Sequence, residues 1–254
     1  MFKGFQNTSR SNGFNGFPAL NFQMNNEAYG FSGCRLWLDA NFGTNTKTDL
    51  SSISLWTDKI NGFRFTQSTG GNQPSYVLSD ANFNNLPSIK FNSYVNHRLQ
   101  LSSVTINMGN KCTVAVVYIN DVIADAVPYI LCNSVARGTG NAVNITGGGT
   151  ATNLNGFGAY TGEAASTVAK LSSGIEDTAA HIGIVSSTDI IMDGISITSS
   201  NFDFTVSYNT IGGDGSGLGS IRGRIAEIII FNKSFNSSDC IELSNRLNQK
   251  YAIY

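Results

Sequence analysis

A chain of 254 residues can bury a sizeable core without a metal or disulfide framework. Its formal charge is −1, which leaves no basic field to hold phosphates and excludes nucleic acid as an expected partner. Charged side chains make up 13% of the sequence, about half the share usual in soluble domains, so the polar surface must come from Asn, Ser, Thr and Gly.

No apolar run approaches the roughly 20 residues of a membrane span. The opening, MFKGFQNTSRSNGF, lacks a continuous apolar region and a small-residue cleavage site, so no secretory signal is expected there. Cys34, Cys112, Cys132 and Cys240 are too sparse for a disulfide scaffold and lack the CxxC spacing of a zinc site. They read as buried free thiols, with a Cys112–Cys132 bridge as the alternative.

Residues 1–31 form an expected N-terminal arm. Phe2, Phe5, Phe14, Phe17 and Phe22 are scattered among Gly and Asn with no period of 2 or 3.6. Disordered tails normally lack aromatics, so these rings are expected to be buried, on the chain's own domain or on a neighbouring subunit. From Cys34 the texture becomes regular. CRLWLDA alternates in the manner of a strand, and Asn61-Gly62 within WTDKINGFRFTQ predicts a type I′ hairpin turn. LPSIKF and HRLQLSS read as strands, and CTVAVVYI, almost wholly apolar, as a central strand covered on both faces. VPYILCN repeats that character.

A Gly-rich section, ARGTGNAVNITGGGTATNLNGFGAYTG, implies exposed loops or a bulged edge. AHIGIVSS, DIIMDGISIT and TVSYNTIGG follow as closely spaced strands, and RIAEIIIF reads as a buried one. Many short strands with Gly-rich turns predict an all-β antiparallel sandwich over residues 32–254. The last segment then turns helical. An Asn or Ser cap in NSSD, Asp239 near the positive end of the dipole and a Glu242–Arg246 pair support a helix. Cys240, Leu243, Leu247 and Tyr251 give it one apolar stripe, expected to cover an edge or an open end of the sandwich.

CRLWLDA, WTDKINGFRFTQ, QPSYV and NNLPSIKF, in that order and spacing, resemble the opening of concanavalin A-like, laminin-G-like jelly-roll domains. IGIVSSTDIIMDGISIT resembles that family's hairpin with an Asp-Gly turn, and TIGGDGSG precedes the last strand as is common there. IRGRIAEIIIFN and the helix ending NQKYAIY resemble the family's close. The resemblance covers residues 32–254 and implies a two-sheet antiparallel jelly roll with one C-terminal amphipathic helix. The superfold carries lectins, glucanases, adhesion modules and viral surface proteins, so it does not by itself assign an activity.

A retaining glycoside hydrolase needs two carboxylates about 5–5.5 Å apart. Glu27, Glu163, Glu176, Glu227 and Glu242 are widely separated, and Glu176-Asp177 would point to opposite faces of a strand, so no catalytic residue is expected. Glu227, read as sharing a strand face with Ile225, Ile229 and Phe231, is either a buried acid or a brace for the sheet and helix. The resemblance favours the brace, because non-enzymatic relatives keep this Glu. His97 and His181 lie beside no nucleophile-elbow pattern, and GGDGSG lacks the Lys and following helix of a phosphate loop. Some relatives bind Ca²⁺ at a sandwich rim, yet Asp193, Asp203 and Asp214 form no DxDxDG run, so no cofactor or metal is expected.

The functional expectation is a non-enzymatic virion protein: a bacteriophage capsid-decoration, tail or fibre subunit, assembled in the host cytoplasm in many copies or as a homo-oligomer. Its arm would dock on other virion proteins. The alternative is a lectin-like carbohydrate-binding module of a cell surface, with a glycoside hydrolase behind both. Sugar recognition combines aromatic faces with amides, which singles out Tyr94, Asn96, Asn153, Asn155, Phe157 and Tyr160 as contacts for host or surface glycans.

Overall fold

The computed structural model describes residues 26–92, 95–102, 106–107, 111–121, 129–133, 142–146, 156–160, 178–199, 207–213 and 220–254. Phe2, Phe5, Phe14, Phe17 and Phe22 of the expected arm lie outside these residues, as do Tyr94, Asn153, Asn155, Asp203 and Asp214.

The first strands are β1 (Glu27–Ala28), β2 (Phe31–Ser32), β3 (Cys34–Asp39), β4 (Leu55–Thr57), β5 (Arg64–Thr66) and β6 (Ser75–Asp80). Next come β7 (Leu86–Phe91), β8 (Leu99–Gln100), β9 (Ile106–Asn107), β10 (Thr113–Asn120), β11 (Tyr129–Cys132), β12 (Ala142–Thr146) and β13 (Gly156–Tyr160). The remaining strands are β14 (Ala180–Ser186), β15 (Asp189–Met192), β16 (Ile195–Ser199), β17 (Ser207–Tyr208), β18 (Thr210–Ile211) and β19 (Gly223–Phe231), followed by helix α1 (Ser237–Tyr251). Among the described residues these strands form two large antiparallel sheets and two small two-stranded ones, β1-β2 and β17-β9. Of the large ones, the first runs β16-β15-β14-β10-β19-β7-β6, with β3 also paired to β19, and the second runs β13-β12-β11-β18-β8-β5-β4. The chain is an all-β sandwich with a C-terminal helix. No described helix is long and apolar enough to cross a membrane.

Trp56, Phe65, Ile89, Leu99, Val114, Val116, Ile228 and Ile230 belong to the core between the sheets. Strand β10 is apolar at successive positions because both its faces are covered. Val114, Val116 and Tyr118 enter the sandwich, while Ala115, Val117 and Ile119 join a second core with Cys240, Leu243, Leu247 and Tyr251 of α1. The helix therefore lies on the outer face of the first sheet, over β14 and β15, and not over an edge or open end as its stripe suggested. Ile182, Ile184, Ile191 and Ile229 make that outer face apolar, and α1 keeps it from water. Asn236 caps the helix by accepting from the Asp239 N–H at 2.9 Å.

A β-bulge in β19 sets the polar centre of this layer. Val117 pairs with Glu227 but Tyr118 pairs with Ile225, leaving Ala226 as the extra residue. Glu227 and Ile225 were expected on one face. The bulge parts them: Ile225 enters the sandwich, and Glu227 turns under the helix with Ile229 and Phe231. Fully buried, its carboxylate accepts from Trp37 Nε1 at 2.5 Å, Tyr251 OH at 2.6 Å, Lys250 Nζ at 2.8 Å and Tyr29 OH at 3.1 Å. Lys250 also meets Asp39 Oδ2 at 3.0 Å, which Lys59 approaches at 3.4 Å. Burial opposes the charge on Lys250, but Glu227 and Asp39 outweigh it and hold its pKa above the usual 10.5. Burial likewise opposes charge on Asp39, yet the Lys250 ammonium, the Asn41 N–H and Lys59 together hold it below 3.8. Residues 26–31, the last of the expected arm, join this layer: Ala28 is buried in the helix-side core, and Arg246 donates to the Tyr29 carbonyl.

Two turns separate expectation from outcome. Asp193-Gly194 joins β15 to β16 with both residues left-handed, at φ 49° and 77°, as a two-residue I′ turn requires. Asn61-Gly62 sits instead in a longer link between Thr57 and Arg64, where Gly62 alone of the pair has positive φ. Asp58 holds that link open by accepting from the N–H groups of Trp37 and Asn61, both at 2.6 Å. All four cysteines are buried and free, and burial pushes the Cys34 and Cys240 thiols up to about 12.

Leu247→Ala should lower stability by about 2–5 kcal/mol, read as a drop in denaturant midpoint. An unchanged midpoint would take α1 out of the core. Glu227→Ala leaves an indole, two phenols and an ammonium without their acceptor and should cost about 3–5 kcal/mol in the same assay. The pH profile has two limbs. The depressed Asp39 contributes stability above 3.8 that is lost as pH falls through its lower folded value. The raised Lys250 contributes stability in full below 10.5 that is lost as pH rises through its higher folded value. Melting temperature should fall at both ends, and Lys250→Met should flatten the alkaline limb.

Candidate functional site

The buried carboxylates are committed to structure. Glu227, the one candidate acid, has its oxygens occupied by the donors from Trp37, Tyr251, Lys250 and Tyr29 and acts as a brace. Asp80 accepts from Arg224 Nη1 at 3.0 Å and Ser88 Oγ at 2.8 Å, with Arg224 continuing to Asp121 at 2.8 Å. Asp189 accepts from Ser237 Oγ at 2.6 Å, tying the start of α1 to β15. His181 Nδ1 lies 2.7 Å from Asp193 Oδ2, and Asp193 Oδ1 accepts from the Ile182 N–H at 2.8 Å, so this pair stitches the β15–β16 turn to β14. Burial lowers the His97 pKa, which favours the neutral ring. Among the described residues no group of three His, Cys, Asp or Glu is placed to hold a metal ion.

The residues singled out for sugar contact go to different places. Phe157 on β13 is fully buried, stacked on Tyr118 with ring centroids 5.6 Å apart, and a Cβ at Gly183 would meet its ring at 2.8 Å. Its aromatic ring belongs to the core between the sheets and offers no face to a sugar. Glycine on both sides of Phe157 had made the segment read as a loop; those glycines belong to the strand. Asn96 has φ 56° and accepts from Ser220 Oγ at 2.9 Å, joining its loop to the chain that enters β19. Tyr160 stands at the end of a register row that crosses the second sheet through Thr66, Gln100, Thr210, Cys132 and Ala142. Thr210 and Cys132 are buried, so the row is covered midway. Tyr94, Asn153 and Asn155 fall outside the described residues.

The open part of that row is a groove. Phe65 and Leu99 are fully buried between the sheets, so strand alternation turns their neighbours Thr66 and Gln100 outward. Thr66 and Gln100 are register partners on β5 and β8, and Thr66 Oγ1 donates to the Gln100 carbonyl at 3.3 Å. Ser54, Gln67, Ser68, Arg98, Leu101 and Ser102 complete the lining around a volume of about 450 Å³. That falls within the range of roughly 300–1,000 Å³ typical of small-ligand pockets.

The groove wall is braced from within. Gln67 Oε1 accepts from the Thr69 N–H at 3.0 Å, and Gln67 Nε2 donates to the Arg98 carbonyl at 3.3 Å. Gln73 Nε2 donates to the Gln67 carbonyl at 2.8 Å, and the Arg98 N–H to Asn72 O at 3.1 Å. Hydroxyls, carboxamides, one guanidinium and one Leu line the groove, with no carboxylate among them. Such a surface can hold a polar ligand by hydrogen bonds, but it supplies neither a nucleophile with its base nor a pair of acids. In the sequence RFTQ and HRLQLSS signal only strands; the groove exists through pairing between residues 34 positions apart.

No family model and no curated protein matches the sequence. Among solved structures, the chain is similar to domain 4 of AbnA, a GH43 extracellular arabinanase from Geobacillus stearothermophilus, in complex with arabinotriose. That match has TM-score 0.55 and 12% identity and covers 83% of this chain and 98% of that one. It is also similar to a GH54 α-L-arabinofuranosidase soaked with 4-nitrophenyl α-L-arabinofuranoside, at TM-score 0.56 and 11% identity. There the match covers 79% of this chain and 51% of the other, so the chain spans about half that enzyme. These likenesses establish the fold alone, a β-sandwich.

Proposed function

We propose that the chain is a non-catalytic carbohydrate-binding module that holds an oligosaccharide in the groove over β5 and β8. The observation that carries this reading is the groove itself: preformed, braced, and lined by hydroxyl and amide side chains without a carboxylate. Sugars are recognised by that kind of hydrogen-bonding surface, and a rigid one loses little entropy on binding. The similar arabinanase domain was solved with arabinotriose, which supports a sandwich of this build as a glycan holder. Binding is favoured over hydrolysis because glycoside cleavage needs two carboxylates flanking the scissile bond, and the buried carboxylates described above have structural partners. The virion-subunit expectation draws on an arm whose Phe2, Phe5, Phe14, Phe17 and Phe22 lie outside the described residues, on the weakly charged surface and on the absence of a signal peptide and a catalytic cluster, and no observation on the sandwich favours it over this reading.

A multivalent display of the full chain on a glycan array tests the proposal, and retention of at least one oligosaccharide is expected. Gln100→Ala should then weaken that ligand about 3- to 10-fold, the effect of one lost neutral hydrogen bond, with the melting temperature unchanged. An empty array at high valency, or full affinity in the variant, would count against the groove.

A further inference from the structure

The two carboxamides that line the groove have different duties. Both ends of the Gln67 side chain are spent within the protein, Oε1 on the Thr69 N–H at 3.0 Å and Nε2 on the Arg98 carbonyl at 3.3 Å. Gln100 stands in the same lining, and among the described residues its side-chain amide has no hydrogen-bond partner. Its backbone is fixed all the same. Leu99 before it is fully buried, its own carbonyl accepts from Thr66 Oγ1 at 3.3 Å, and Thr66 and Thr210 flank it in register on β5 and β18.

A carboxamide is a planar group that holds an acceptor and a donor side by side. The hydroxyls of Ser54, Ser68 and Ser102 can rotate to suit a partner of either kind, so they add hydrogen bonds without much choice between ligands. The carboxamide does choose. It is complementary to two neighbouring oxygens, one with a proton to give and the other with a lone pair to receive. Adjacent hydroxyls on a sugar ring meet this condition when they are gauche to each other, whereas trans-diaxial hydroxyls point apart.

Resting on the glycan-binding reading, we infer that Gln100 reads a pair of adjacent free hydroxyls, its Oε1 accepting from one and its Nε2 donating to the other. The class of chain that the groove takes follows from this pairing. Pyranose chains joined (1→4) keep the hydroxyls at C2 and C3 free on every inner residue. Chains joined (1→3) place the linkage between the two remaining ring hydroxyls and leave no free adjacent pair inside. The glycosidic oxygen that replaces one partner has no proton and is shielded by the next ring.

Calorimetric titration of the full chain tests the inference at constant sugar identity. The probes are cellotetraose against laminaritetraose, and β-(1→4)- against β-(1→3)-galactotetraose. In at least one pair the (1→4) member should bind about 3- to 10-fold tighter, the effect of one neutral hydrogen bond. Gln100→Leu should erase that difference by weakening the (1→4) member, while Gln100→Glu, which keeps an acceptor and loses the donor, should retain part of it. The linkage comparison on the unmodified chain decides the matter even if a variant folds poorly.

Equal affinity within both pairs, tighter binding of a (1→3) member, or a linkage preference that survives Gln100→Leu overturns the inference and leaves the glycan reading standing. So does failure of all four probes to bind a chain that a glycan array shows to hold another sugar. An array empty at high valency removes the glycan reading itself.

Discussion

A carboxylate can stay ionised away from water only if donors surround it, and those donors must come from chain segments already in place. Glu227 meets this condition with an indole from β3, a phenol from the β1–β2 turn, and a phenol and an ammonium from the last turn of α1. One side chain thus specifies which segments lie over the first sheet and how they meet. Its strand keeps it there in register with Val117, and the bulge at Ala226 lets Ile225, two residues earlier, enter the sandwich instead. With regular pairing Ile225 would share the helix-side face of Glu227, Ile229 and Phe231, leaving that stretch of the sandwich core without its side chain.

The placement of the helix decides which outer sheet surface stays open. Both faces of the first sheet are covered, one by the second sheet and the other by α1. The outer surface of the second sheet keeps an open stretch over β5 and β8. Its floor belongs to a sheet whose inner side, through Phe65 and Leu99, is packed into the sandwich core. The polar contacts of the groove therefore rest on a rigid base, and the 66–73 segment braces its wall through its own amides. The buried polar centre beneath α1 and the groove over β5 and β8 thus lie on opposite sides of the sandwich.

Much of this was legible in the sequence. Period-2 alternation in CRLWLDA gave β3, the unbroken apolar run of CTVAVVYI gave a doubly covered strand, and the cap and stripe of the last segment gave α1. What misled was chemistry acting across the fold. Asn61-Gly62 has the composition of a tight turn, but Asp58 recruits the N–H groups of Trp37 and Asn61 and keeps the link long. Phe157 sits between glycines and reads as a loop residue, yet the absence of a side chain at Gly183 makes the space in which its ring is buried. Local pattern also could not say which surface α1 would cover, because that depends on the outward residues of β10, β14, β15 and β19 taken together. The groove was invisible for the same reason.

The cysteines acquire a use from where they lie. Cys34 and Cys240 sit in the layer beneath the helix, whereas Cys112 belongs to the layer between the sheets. Alkylating reagents react with exposed thiolates, so each position stays silent until its own layer parts. Peptide-resolved labelling over time would therefore clock the lifting of the helix and the opening of the sandwich separately, with reporters that the native chain already carries.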